Sequence, residues 1–183
     1  MLYTPTITSR TTLLLCMLAA ACAQFACGSD EQTIARTPSS SLRALTQQPA
    51  EGWVRQTVYV PVYSSLDIGE PIRQNVVQLA ATVSIRNVSP THPGVVLFAR
   101  YFDSAGTLIR EYVPQPGELG PLATTEFVIP RHDTTGGPGA NFLIGWTAPA
   151  GADAPLMEAV MLGRSGNAGI AFASPGRVLT ATP

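Results

Sequence analysis

The sequence predicts an all-β fold: an immunoglobulin-like antiparallel β-sandwich of seven to nine strands, preceded by a signal peptide and a disordered tether. Three observations predict it. Short runs rich in Val, Thr and aromatic residues recur from Trp53 onward, separated by Pro and Gly turns, and 16 residues of each of those two types occur in the 183-residue chain. The run Leu79–Arg86 alternates Leu79, Ala81, Val83 and Ile85 with Ala80, Thr82, Ser84 and Arg86, the period of a half-buried strand. No segment of this region has a convincing amphipathic-helix period, and short strands at such spacing indicate a sandwich or barrel.

The strands follow in order. Gln56–Val60 is interrupted by Pro61 and continued by Val62–Tyr63, and a proline there suits an edge or a bulge. After the Leu79–Arg86 strand, Asn87–Gly94 reads as a loop. Val95–Phe102 is nearly continuously apolar, and Asp103-Ser104-Ala105-Gly106 then turns the chain into Thr107–Tyr112. Asp at the first turn position bonds the backbone and Gly at the last supplies φ > 0, which makes this the firmest hairpin signature in the chain. Pro114–Pro121 reads as a loop. Thr124–Ile129 places Phe127 and Ile129 on one face, and Asn141–Thr147 places Phe142, Ile144 and Trp146 on one face. Met157–Leu162 and Gly169–Leu179 supply two or three more strands. A domain of this size buries about two-thirds of its unfolded surface, enough to stand alone.

The N-terminus reads as an address. Arg10 precedes an uncharged apolar run from Leu13 to Ala23, too short for a membrane-spanning helix, which needs about 20 residues, and matching a secretory h-region. Leu18-Ala19-Ala20-Ala21-Cys22 resembles a lipobox, which assigns residues 1–21 to a lipoprotein signal peptide and makes Cys22 the acylated residue. Cys27, and plain cleavage after Ala21-Cys22-Ala23, are the competing readings. A multiply acylated cysteine holds a membrane stably where one chain is marginal. Residues 22–52 then read as a flexible linker rich in Gln, Ser, Thr, Ala and Pro, unable to bury enough apolar surface to offset its ordering entropy. The β-domain occupies 53–183. The expected location is the cell envelope, as an outer-membrane or periplasm-facing lipoprotein.

Composition narrows the function classes. Net charge is −1, with 11 basic residues, all arginine and nowhere clustered, so the electrostatic footprint of a nucleic-acid binder is missing. The three cysteines all lie early, at Cys16, Cys22 and Cys27, which leaves the body of the chain without a disulfide framework or a cysteine metal site. No catalytic constellation, metal site or cofactor is expected. His132-Asp133 does not make a catalytic pair, because adjacent residues on extended chain point apart, and His92 lies in a loop. The most unusual stretch is Asp133 to Phe142, where Asp133, Thr134, Gly136, Gly137, Gly139 and Asn141 are the candidate ligand-binding residues. Closely spaced glycines can present backbone N–H groups as an anion nest. A phosphate loop is rejected, since a strand rather than a helix follows and lysine is missing; calcium would need more oxygen ligands. The same residues also suit a long turn. Trp53, Trp146, Tyr59, Tyr63, Tyr101 and Tyr112 would form a carbohydrate platform if exposed together, but such aromatics more often fill a core.

Several segments in one order carry a resemblance: Val58–Ser64, Thr82–Asn87, Thr124–Val128, Asp133–Phe142 and Glu158–Met161. Over about Val58 to Val178 the chain resembles the bacterial family catalogued as domain of unknown function 3124. The resemblance implies an exported bacterial protein, carries no catalytic residues over, and makes the Asp133–Phe142 loop characteristic of the family. The resulting expectation is a membrane-tethered envelope domain with a non-enzymatic interaction role toward an unknown envelope protein or glycan. The alternatives are a carbohydrate or small-ligand receptor using loop 133–142, and an unrecognised hydrolase.

Overall fold

In a computed structural model of the chain, the structure describes residues 41–182 except 68 and 70–75. Cys16, Cys22, Cys27 and the signal-peptide reading lie outside the described residues. Among the described residues there is no helix, and eleven strands form two antiparallel sheets. They are β1 (Val54–Pro61), β2 (Ser65–Asp67), β3 (Val76–Arg86), β4 (Gly94–Phe102), β5 (Leu108–Glu111), β6 (Gly117–Leu119), β7 (Thr124–Ile129), β8 (Asn141–Ala148), β9 (Leu156–Ser165), β10 (Ala168–Pro175) and β11 (Arg177–Thr182). Sheet 1 has the order β11-β1-β8-β4-β5, with β6 also on β4; sheet 2 has the order β10-β9-β3-β2, with β7 also on β3.

The immunoglobulin-like element is the crossed pair of pairs. Strand β3 binds β7 in one sheet, β4 binds β8 in the other, and the β3–β4 and β7–β8 connections both pass between sheets, as strands B, E, C and F do in that fold. The two strands beyond the expected nine are β2 and β6, of three residues each. Neither has enough residues to show an alternation of its own, so each is specified by its partner: β2 by the start of β3, β6 by Gly94–Val96. Strand β6 falls inside the stretch read as a loop, and it also draws in part of the span read as linker. Arg43 and Glu118 exchange backbone hydrogen bonds of 2.9 Å each way. Leu42 packs where a Cβ on Gly117 would stand, 2.9 Å from that position.

Alternation places the core. Leu79, Ala81, Val83 and Ile85 are fully buried, and Phe142, Ile144 and Trp146 face them from β8. Val58 and Val60 of β1 and Ala159 and Met161 of β9 complete the interior. Pro61 closes β1 where a missing N–H costs nothing, because β11 pairs with β1 only as far as Tyr59. The Asp103 turn forms as expected: Gly106 has φ 82°, and Asp103 Oδ1 accepts from the N–H groups of Ala105 and Thr107 at 2.9 and 2.8 Å. Strands β10 and β11 are one extended run that changes sheet at Gly176, whose N–H donates to the Met157 carbonyl at 2.8 Å. A side chain at Gly176 would meet Val58 Cγ1 at 2.8 Å, so the crossing needs glycine.

Candidate functional site

The Asp133–Asn141 stretch caps the end of the sandwich where β4 finishes and β8 begins. Beneath it lie four packed rings: Tyr101 on Phe142 at 5.1 Å, Tyr112 on both Phe127 and Phe142 at 5.1 and 5.3 Å, and Phe127 over Phe142 at 6.2 Å. One ring requires Gly136, while Gly137 and Gly139 pack against Ser104. A Cβ on Gly136 would stand 1.9 Å from the Tyr101 hydroxyl and 2.7 Å from the Ala140 Cβ. Gly137 has φ 71°, a conformation that side chains disfavour.

Two serines stitch the cap down. Gly136 C=O accepts from Ser104 N–H and Oγ–H, each at 2.9 Å, and Ser104 Oγ in turn accepts from Gly139 N–H at 2.8 Å. Gly137 C=O accepts from the N–H and hydroxyl of buried Ser64, each at 3.1 Å. Ala140 C=O accepts from Val62 N–H, and Gly137 N–H donates to Thr134 C=O. Asp133 Oδ1 accepts from the hydroxyl and N–H of Thr135 at 2.6 and 3.3 Å, while Oδ2 lies 3.6 Å from Arg110 Nη2. Thr134 is exposed, and Asn141 is the first residue of β8, opposite Pro61 and Phe102. All six candidate residues thus belong to one cap, with the N–H groups of Thr135, Gly137 and Gly139 engaged within the protein. Ser64 and Ser104 are not among the residues that the sequence pattern singles out. Ser104 sits in the Asp103 turn, and only the three-dimensional meeting of that turn with the cap reveals its second task.

Charge and burial meet at the two tyrosines. Tyr101 is fully buried and its hydroxyl makes no hydrogen bond of good geometry among the described residues. Burial first, then the negative charge of Asp133, pushes its pKa up to about 12, with Ser64 and Arg110 pulling the other way. Burial also raises Tyr112, against the opposing Arg110, whose guanidinium donates to the Tyr112 hydroxyl at 3.0 Å.

The six aromatics considered as a platform are dispersed. Tyr101 and Trp146 are buried, Tyr112 belongs to the ring cluster, Tyr63 packs edge-on against Phe172 at 5.6 Å, Tyr59 faces outward from sheet 1, and Trp53 is half-buried just before β1. His132 is exposed beside the cap, and His92 is exposed at the opposite end, its Nδ1 2.9 Å from the Thr91 hydroxyl. No ion pair joins either imidazole to a carboxylate among the described residues. At that opposite end a cavity of about 10 Å³ lies among Ile85, Val96, Leu119 and Trp146, room for roughly one water.

A crystal structure described as "Crystal Structure of Thermotoga maritima 1070" shares 10% identity with this chain at a TM-score of 0.37, covering 67% of this chain and 92% of that one. No curated protein matches the chain. The family model described as "Protein of unknown function (DUF3124)" matches residues 55–179, from the second residue of β1 into β11, and the chain belongs to that family.

Proposed function

We propose that this chain is a membrane-tethered, non-enzymatic interaction domain of the bacterial cell envelope, held by an acyl group on Cys22. The observation that supports this most is where the linker joins the domain. Arg43 pairs with Glu118 on β6, and β6 pairs with Gly94–Val96, at the start of β4. The glycine cap closes over the other end of β4, where Phe102 faces Asn141. Eight residues of strand separate the two, about 27 Å. Among the described residues, a linker that attaches along one edge at one end covers neither the cap nor the outer sheet faces.

The test is intact mass of the chain produced in its own host, with and without inhibition of lipoprotein signal peptidase, joined to cross-linking in intact envelopes. The expected result is a mass that starts at Cys22 and carries acyl chains, precursor accumulation under inhibition, and recovery of one reproducible protein or glycan partner. A mature chain without lipid overturns the tether, and envelopes that yield only non-specific neighbours overturn the interaction role.

A further inference from the structure

We propose that the outer face of sheet 1 carries a binding site for an acidic saccharide unit, in the groove between Arg55 and Phe98. The groove has a volume of about 220 Å³ and is lined by Arg55, Thr57, Leu97, Phe98, Gly145 and Thr180. That is space for about one sugar ring, below the range of sites that enclose larger ligands.

Three local irregularities converge there. Gly145 lies in the middle of β8, a central strand paired on both sides, opposite Thr57 of β1 and Phe98 of β4. Glycine weakens such a position, and it often marks a place where something must approach the backbone closely. The register of β4 slips between Val96 and Phe98. Without that bulge, alternation would turn Phe98 inward like Val96; with it, the ring is aimed onto the outer face. A Cβ on Gly145 would stand 2.3 Å from Phe98 Cε1, so the bare glycine lets the ring lie down as one wall of the groove. Arg100 braces that wall, with its guanidinium 4.7 Å from the ring centroid and Nε 2.9 Å from Glu111 Oε1.

The opposite wall supplies the recognition groups. Arg55 is exposed and has no ion pair among the described residues. Thr57 and Thr180 stand directly across from each other on β1 and β11. In the next row Arg177 is paired with Tyr59. The glutamates of this face, Glu111 and Glu118, lie on β5 and β6 at the far edge, and both are engaged, by Arg100 and by the Thr46 hydroxyl. The outer face of sheet 2 is balanced instead: Arg86 pairs with Glu158 at 3.2 Å, and Glu126 and Arg164 share the face. The positive potential is therefore local to the β11–β1 side of sheet 1, and it selects an anion.

The donor set selects the class. A guanidinium binds a carboxylate through two parallel bonds. Threonine hydroxyls donate to and accept from ring hydroxyls. The Phe98 ring has one face on Gly145 and the Arg100 guanidinium over it, so its rim is what gives a sugar's C–H groups an apolar contact. An extended acidic peptide fits less well, because the groove lies on the sheet face, where β1 and β8 are paired on both sides, while the free ladder of edge strand β11 runs in the plane of the sheet and not into the groove.

This site deepens the interaction-domain reading and rests on it, but its test needs no membrane. The host-produced full chain, purified in detergent, is titrated calorimetrically with an oligomer of a uronic acid, with the matching neutral oligosaccharide, and with inorganic phosphate. The acidic oligosaccharide is expected to bind, more weakly as salt rises, with the neutral sugar and phosphate at least tenfold weaker. Arg55→Gln, at an exposed position, is expected to weaken binding about tenfold or more with an unchanged melting curve, and Thr134→Ala in the cap to leave it unchanged. No binding of the acidic oligosaccharide, equal binding of phosphate, or a loss in Thr134→Ala but not in Arg55→Gln overturns the site. A missing acyl group would overturn the tether and leave this result standing.

Discussion

The two ends of the sandwich solve the same problem in opposite ways. At the linker end one side chain does most of the work: the two N–H bonds of buried Asn87 Nδ2 are shared among the carbonyls of His92, Leu119 and Gly120 at 2.8, 3.1 and 3.0 Å, and its Oδ1 accepts from Ser89 N–H at 3.0 Å, while Ser89 Oγ accepts from His92 N–H at 3.1 Å. One amide ties the Asn87–Gly94 loop to β6, and its polar atoms are used. At the cap end the same closure takes two serines and a set of glycines. Each end keeps a buried polar atom with no hydrogen bond among the described residues, the Tyr101 hydroxyl at the cap and Trp146 Nε1 at the linker end. The lesson concerns what glycine signals. Three glycines in four residues look like a ligand cradle, yet Gly136 is set by the ring beneath it, while the plain asparagine at the other end carries more bonds.

The sharpest way to break this comparison is Gly136→Ala. Its Cβ would overlap the Tyr101 hydroxyl, the tyrosine Cζ at 2.8 Å and the Ala140 Cβ, so a buried ring, or a Cβ that moves only with its own backbone, must yield. A loss of about 3 kcal/mol or more in urea-denaturation stability is expected, at the upper end of overpacking costs. Tyr101→Phe in the same background is expected to recover part of it, since it removes the nearest atom. Purely additive effects of the two substitutions would show that the ring does not set the glycine.

Asn87→Ala comes next. It leaves three carbonyls and one N–H to find other partners, and a loss of about 2 to 3 kcal/mol is expected. Ser104→Ala at the cap should cost less, about 1 to 2 kcal/mol, because Ser104 is exposed and water can replace its bonds. If the serine proved the costlier of the two, the description of the linker end as the more tightly tied would fail.

How much of this was legible in the sequence follows from which signals are local. The alternation of β3, the faces of β7 and β8 and the Asp103 hairpin were readable, because period and turn chemistry reside within a few residues. Strands β2 and β6 were not, because three residues carry no period, and the docking of Leu42 on Gly117 depends on a strand far along the chain. The cap residues were found as a group, but the reason for them was hidden, since Tyr101 is 35 positions from Gly136 and nothing near either residue announces the contact. The groove on sheet 1 was missed for the same reason. Gly145 and Phe98 are ordinary until a register slip sets them opposite each other.

The smallest expected effect isolates the unmatched hydroxyl. Tyr101→Phe removes a buried oxygen that makes no well-formed hydrogen bond among the described residues, while keeping the ring contacts with Phe142. A gain of up to about 1 kcal/mol near neutral pH is therefore expected, the reverse of the usual cost of deleting a polar group. The pH dependence fixes the cause. With a folded pKa raised to about 12 from the ordinary 10, the unfolded chain releases the Tyr101 proton first as pH rises. The stability held through the neutral phenol is complete below pH 10 and is lost as pH climbs from 10 toward 12. Wild type should thus fall more steeply than Tyr101→Phe across that window, with Tyr112, also raised, common to both. Parallel curves for the two proteins would mean that the hydroxyl is hydrated or bonded in solution, and the cost assigned to it at the cap would disappear.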